Sequence, residues 1–169
     1  MNQNPHNVRP LIVGEVLFDH FPDGNRVLGG APFNVAWNLQ GLGLSPLFLS
    51  AVGDDDDGRE IRTRMVEWGL DTAGLQVSPR WPTGQVRVSV QDGQPAFEIL
   101  DQQAYDDIRD PELTVSPAEF SLLYYGSLAF RREPSRNTIR RLIGQSGLPR
   151  FVDINIRPPW YDRSWLDDL

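Results

Sequence analysis

The chain has 169 residues, 40% of them hydrophobic and 23% charged, enough for one globular core. A formal net charge of −7 sets it against polyanionic partners such as nucleic acid or an anionic membrane surface. With no Cys, and with all sixteen basic residues being Arg, disulfides, thiolate zinc sites, Schiff-base lysines and a P-loop lysine are excluded together. The start, Met1-Asn2-Gln3-Asn4-Pro5-His6, lacks the basic-then-apolar order of a signal peptide, and no apolar run is long enough to span a membrane. The expectation is a cytoplasmic protein acting on a small polar molecule.

Leu11-Ile12-Val13, closed by Gly14, reads as a buried parallel strand. From Glu15 the chain runs through Asp19 into the turn residues Pro22-Asp23-Gly24-Asn25, and Arg26-Val27-Leu28 leads back. Residues 15–28 are therefore expected as a hairpin. Gly29-Gly30-Ala31-Pro32-Phe33-Asn34-Val35-Ala36 follows. The glycine pair permits positive φ and close approach to a ligand, and Pro32 suits a first helical turn. Val35, Ala36, Leu39 and Leu42 then recur at helical spacing up to the stop signals Gly41 and Gly43. Asn34 falls in that first turn, beside free N–H groups at the positive end of the helix, where oxygen-rich ligands are favoured. The plainer alternative is a tight turn with a locally bonded Asn34.

Leu47-Phe48-Leu49 is a second buried strand, ending at Gly53. Asp54-Asp55-Asp56-Asp57 could suggest a cation site. Their place just before a helix with Ile61, Met65 and Trp68 on one face favours capping instead, and no metal site is expected. After a short strand at Leu75-Gln76-Val77, Gln85 to Gln91 alternates, Asp92-Gly93 turns and Ala96 to Leu100 returns. This second hairpin, about 84–101, also stands outside the βαβ rhythm, so the two hairpins are expected to pair into one small sheet over the Gly29-Gly30 mouth. An apolar face left open there would be an association surface. Leu122 to Ser127 reads as strand and turn, and a helix follows over roughly 134–143 with Arg136, Arg140 and Arg141 outward. The strand from Phe151 turns polar at its C-terminal end, at Asn155 and Arg157, where ligands of parallel sheets collect. Residues 162–169 read as two turns of a helix inside which the chain stops, so a truncated chain is expected. Neither His6 nor His20 has the spacing of a triad or zinc ligand, and no dinucleotide-binding glycine motif occurs.

From Gly29 to Gly53 the pattern G-G-x-P-x-N-x-A-x(6)-G-x(9)-G closely resembles the N-terminal signature of the PfkB carbohydrate kinases, the ribokinase-like family. The D-x-N-x-R of Asp153 to Arg157 resembles its fructokinase-like branch. The resemblance implies a three-layer α/β/α Rossmann-like sheet with a small β-sheet lid, of which residues 1–169 would be the N-terminal part. It implies transfer of a phosphoryl group from ATP to a sugar hydroxyl, with a hexose or ketohexose as acceptor, and in many members a homodimer formed lid to lid. By the same resemblance Asp19, in a G-E-x-x-x-D type start, would bind sugar hydroxyls together with Gly29, Gly30 and Asn34. A carboxylate suits that task because it accepts charge-assisted bonds from two vicinal O–H groups. Phe97 would be a lid aromatic over the sugar ring, or else an ordinary core aromatic. Asn155 and Arg157 would face the transferring phosphoryl group or an acidic end of the substrate, unless Arg157 pairs with Asp153 or Asp162. The family's catalytic Asp, in G-A-G-D, and its magnesium-ordering N-x-x-E do not occur in the sequence. No catalytic residue is therefore expected in this chain, and ATP and Mg²⁺ are expected only in a full-length protein. A catalytically silent sugar-binding or regulatory module, or a nucleoside or sugar-acid kinase of the same family, are the other readings.

Overall fold

Successive side chains of a strand point to opposite faces, so an apolar run with no polar alternate must be covered on both. Strand β1 (Arg9–Val13) is such a run: Leu11, Ile12 and Val13 are fully buried. The computed structural model, which describes residues 8–91, 93–109, 118–156 and 159–160, makes it the central strand of a five-stranded parallel sheet. Its neighbours are β4 (Leu47–Gly53) and β8 (Phe120–Gly126), with β5 (Leu75–Ser78) and β9 (Arg150–Asp153) outside them, in the order β5-β4-β1-β8-β9.

The parity of each strand sorts the core into two layers. Leu11, Val13, Leu47, Leu49, Leu123 and Tyr125 pack with Ile139 and Leu142 of α3 (Ser135–Ser146) on one face. Ile12, Phe48, Val52 and Tyr124 pack on the other with Phe33 and Ala36 of α1 (Ala31–Gly41) and Ile61 and Met65 of α2 (Asp56–Trp68). The result is the expected α/β/α sandwich, and no helix among the described residues is long and apolar enough to cross a membrane.

Of the four aspartates, Asp54 and Asp55 precede α2 and Asp56 and Asp57 lie in its first turn, as the capping argument requires. Asp55 is the N-cap and accepts from Gly58 N–H at 2.8 Å, while its other oxygen accepts from Thr83 N–H at 2.8 Å. Asp54 and Asp56 pair with Arg59, and Asp57 with Arg26. At the far end Gly69 closes the helix in the left-handed conformation, φ 75°. One expectation needs correction: Arg136 of α3 does not simply project outward but turns back to the carbonyls of Phe130 and Arg131, 2.7 Å from each.

A second sheet springs from the C-terminal end of β1. Its order is β3-β2-β6-β7, built from the hairpins β2 (Leu17–His20) with β3 (Arg26–Gly29), and β6 (Gly84–Gln91) with β7 (Gln94–Ile99). The hairpins are joined by parallel pairing of β2 with β6. The β2–β3 turn forms as its residues dictate, with Asn25 N–H bonded to the Asp23 carboxylate at 3.0 Å and Gly24 at φ 85°. The Glu15–Val16 segment belongs to neither sheet and is the buried bend between them.

Candidate functional site

Two glycines fix the mouth of α1. Gly30, its N-cap, has φ 110°, and a Cβ there would stand 2.6 Å from the Glu15 carbonyl oxygen, a contact no side chain permits. Gly14 has φ 152°, and its Cβ would collide with Pro32 Cγ at 2.4 Å. The backbone after β1 is thus pressed directly onto the first turn of α1. Pro32 is placed in that first turn, where its missing N–H costs nothing.

Register sets which residues of the small sheet share a face, and β3 ends at the glycine pair that opens α1. Directly paired residues share a face, so Gly29, Leu17 and Gly84 form the row nearest the root, and Val27, Asp19, Val86 and Ile99 form the next. Val88 and Phe97 come after them on the same face. Asp19 is therefore a single carboxylate set in an apolar surface. A methyl group on Gly29 would lie 3.3 Å from its Oδ2, which places the acid directly against the glycine pair. Partial burial raises the Asp19 pKa, His20 only partly opposing it, and no side chain among the described residues hydrogen-bonds the carboxylate. A half-buried acid without a partner is held at a desolvation cost that a ligand with hydroxyl donors would offset.

The remaining expected residues are placed as follows. Asn34 closes the first turn of α1, its N–H bonding the Gly30 carbonyl at 2.8 Å, and its side chain is exposed at the helix start. It is joined to the Gly29–Gly30 pair by one helical turn. Phe97 is 57% exposed, which removes the core-aromatic alternative. Asn155 lies beyond the C-terminal end of β9, with its N–H on Ser127 Oγ at 3.0 Å. Beside it Asp153 accepts from Tyr124 Oη at 2.8 Å, and burial together with that bond holds the phenol above its ordinary range. Arg157 and the expected helix at 162–169 lie outside the described residues.

Glu15 escaped the sequence reading. Counted as the start of a hairpin, it is instead 2% exposed beneath the mouth, and burial pushes its carboxyl up to about 7. The available signal was its position directly after the Gly14 that ends a buried strand, where a polar residue has no solvent to face. A second buried group, the bidentate Asp106–Arg131 pair at 2.7 Å on both arms, also lay unseen. Among the described residues no cluster of three or more His, Asp or Glu side chains converges as a cation site.

A parallel sheet covered by helices on both faces, with a small sheet rising from the C-terminal end of its central strand, is the architecture of the ribokinase-like sugar kinases. The chain belongs to the pfkB family carbohydrate kinases, whose profile matches residues 13–161. It is 31% identical over 145 residues to the putative sugar kinase PH1459 of Pyrococcus horikoshii, covering 83% of this chain and 44% of that protein. It is 31% identical over 171 aligned positions to a fructokinase of Klebsiella pneumoniae, covering 96% and 56% of the two chains. The crystal structure of Vibrio cholerae O395 fructokinase with fructose, ADP and calcium bound superposes with a TM-score of 0.74 at 25% identity, covering 96% of this chain and 56% of that one. The chain thus spans about half the length of the relatives it matches.

Proposed function

We propose that this chain is the sugar-binding, N-terminal part of an ATP-dependent sugar kinase whose acceptor is a hexose or ketohexose. Residues 1–169 form one part of a ribokinase-like domain, and the segments 15–28 and 84–101 are its lid. The observation that carries the reading is the Asp19 carboxylate, which no side chain among the described residues hydrogen-bonds, held against Gly29 in an otherwise apolar sheet face. It accepts hydrogen bonds from two sugar hydroxyls, Asn34 and the Gly29–Gly30 backbone meet further hydroxyls, and Phe97 covers the ring. Asn155, with Arg157, faces the end of the sugar that receives the phosphoryl group. Family membership and the fructose-bound relative support the choice of substrate class.

The proposal gives this chain the sugar and leaves the catalytic base, ATP and Mg²⁺ to the remainder of a full-length kinase, because the motifs that supply them are not in the sequence. The exposed Val27, Val90 and Phe97 on the lid form its contact with a second copy. A cysteine-free chain suits the cytoplasm, where the kinase acts. The test is a pair of assays with ATP and a panel of fructose, glucose, gluconate and uridine. A polypeptide in which this sequence continues to a G-A-G-D motif should phosphorylate fructose or glucose, and the 169-residue chain should phosphorylate none of the panel. Turnover by the short chain refutes the division of labour, and exclusive use of gluconate or uridine refutes the substrate class.

A further inference from the structure

Alternate side chains of β2 point to opposite faces of the small sheet. Leu17 and Asp19 share the face described above, and Phe18 and His20 take the other. Register adds Arg26 and Leu28 of β3 and Gln85 of β6 to that second face. It is turned to α2, where Asp57, Glu60, Ile61 and Arg64 fall on one side of the helix by their spacing of three, four and seven. Phe18 is fully buried in the core layer that Ile61 joins, with the Arg26 guanidinium 4.5 Å and that of Arg64 5.9 Å from its ring centroid. Beside it three strands of the small sheet reach toward one carboxylate. Asp57 accepts from Arg26 Nη1 of β3 at 2.5 Å and from Gln85 Nε2 of β6 at 3.3 Å, and His20 Nε2 of β2 stands 4.0 Å away. The other arm of Arg26 pairs with Glu60, which Arg64 holds in turn at 2.5 Å. Capping does not account for this convergence. Asp56, the other acid of the first turn, has a side chain 99% exposed and pairs with Arg59 of its own helix, whereas that of Asp57 is 20% exposed and faces the small sheet.

We propose that Asp57 is a positioning residue for the sugar: by gathering β2, β3 and β6 onto α2 it fixes the back of the strand that carries Asp19, and so holds the Asp19 carboxylate at the glycine pair. The proposal deepens the sugar-kinase reading and rests on it only for what Asp19 binds. Phe18 and His20 flank Asp19 in the chain, so a strand free to shift at those two residues carries the carboxylate with it. An acid in the first turn of a helix also opposes the macrodipole. Asp56 shares that contribution with Asp57, but among the described residues it makes no contact with the small sheet, so the two aspartates separate a role in the helix from a grip on the lid.

The experiment compares wild type, Asp57→Asn, Arg26→Gln and Asp56→Asn in the 169-residue chain by amide hydrogen exchange and by fructose titration. Asp57→Asn and Arg26→Gln should each speed exchange of the β2 amides, and of the Phe21 N–H that bonds the Asn25 carbonyl at 2.8 Å, by about fivefold, the upper worth of one ion pair. Fructose should bind more weakly by a similar factor, and the amides of β1 and β4 should exchange as before. Asp56→Asn should leave both lid exchange and fructose affinity at the wild-type values. Lid exchange that is unchanged in Asp57→Asn and Arg26→Gln, or raised equally in Asp56→Asn, overturns the proposal. Faster lid exchange with unaltered fructose affinity overturns it too. If Asp57→Asn fails to fold, Arg26→Gln still decides. Absence of fructose binding to wild type refutes the sugar reading, and the exchange rates then judge the grip of Asp57 on the lid alone.

Discussion

The two sheets differ in how completely they are buried. In the five-stranded sheet every residue of β4 is buried, both faces are packed, and the buried charge beside it, Asp106 with Arg131, is paired through two hydrogen bonds. In the small sheet the outer strand β7 is mostly exposed, Val27, Val90 and Phe97 stand in solvent, and the acid on the apolar face has no side-chain hydrogen bond among the described residues. Apolar side chains left in solvent and a half-buried acid are tolerated where little stability is at stake or where a ligand covers them. The difference teaches which sheet holds the fold and which is free to meet a ligand.

The comparison is broken most forcefully in the large sheet's surroundings. Asp106→Ala leaves the Arg131 guanidinium buried and uncompensated and should lower stability by about 3–5 kcal/mol in urea unfolding. Glu15 gives an effect of about 3 kcal/mol that depends on pH. Its carboxyl is raised in the fold from 4.5 to about 7, so the native chain binds more protons than the unfolded one across that window. Stability should fall as pH rises through it and level off above, and Glu15→Gln should remove the slope. Asp55→Ala, which removes the α2 cap and the Thr83 contacts, should cost about 1–2 kcal/mol. Burial raises the Asp55 pKa, but its bonds from Thr83 and Gly58 prevail and lower it. Its contribution is therefore present above the unfolded pKa and lost as pH falls through the lower folded value.

Changes in the small sheet should act on binding and leave folding alone. Asp19→Ala should weaken fructose affinity at least about tenfold while unfolding shifts by no more than about 0.5 kcal/mol. Phe97→Ser, the mildest, should leave monomer stability within about 0.5 kcal/mol and report only on what covers the ring. If either variant unfolded the chain, the small sheet would belong to the structural core and the contrast between the sheets would fail.

What was legible in the sequence is what repeats with a physical period or needs a special backbone. The unbroken apolar runs at Leu11 and Leu47 announced parallel strands, the turn residues at Pro22 to Asn25 and Asp92-Gly93 announced hairpins, and Gly29-Gly30-Ala31-Pro32 announced the helix start. Asp55 was legible because acids before an apolar helix oppose its dipole. Glu15 was only faintly so: its place directly after Gly14 was the one signal, and the packing of Gly30 against its carbonyl is set by the fold and not by the local pattern. Arg131 was equally opaque, because its partner Asp106 is 25 residues away and no pattern links them. The alignment of Asp19 with Gly29 depended on strand register, which single residues do not encode.

The most direct measurement is a fructose titration of the ¹⁵N-labelled 169-residue chain followed by amide resonances. Saturable shifts should concentrate at Asp19, Gly29, Gly30 and Asn34 and disappear in Asp19→Ala. Saturable shifts elsewhere, shifts that persist in Asp19→Ala, or none up to tens of millimolar fructose would contradict the assignment of this mouth to a sugar.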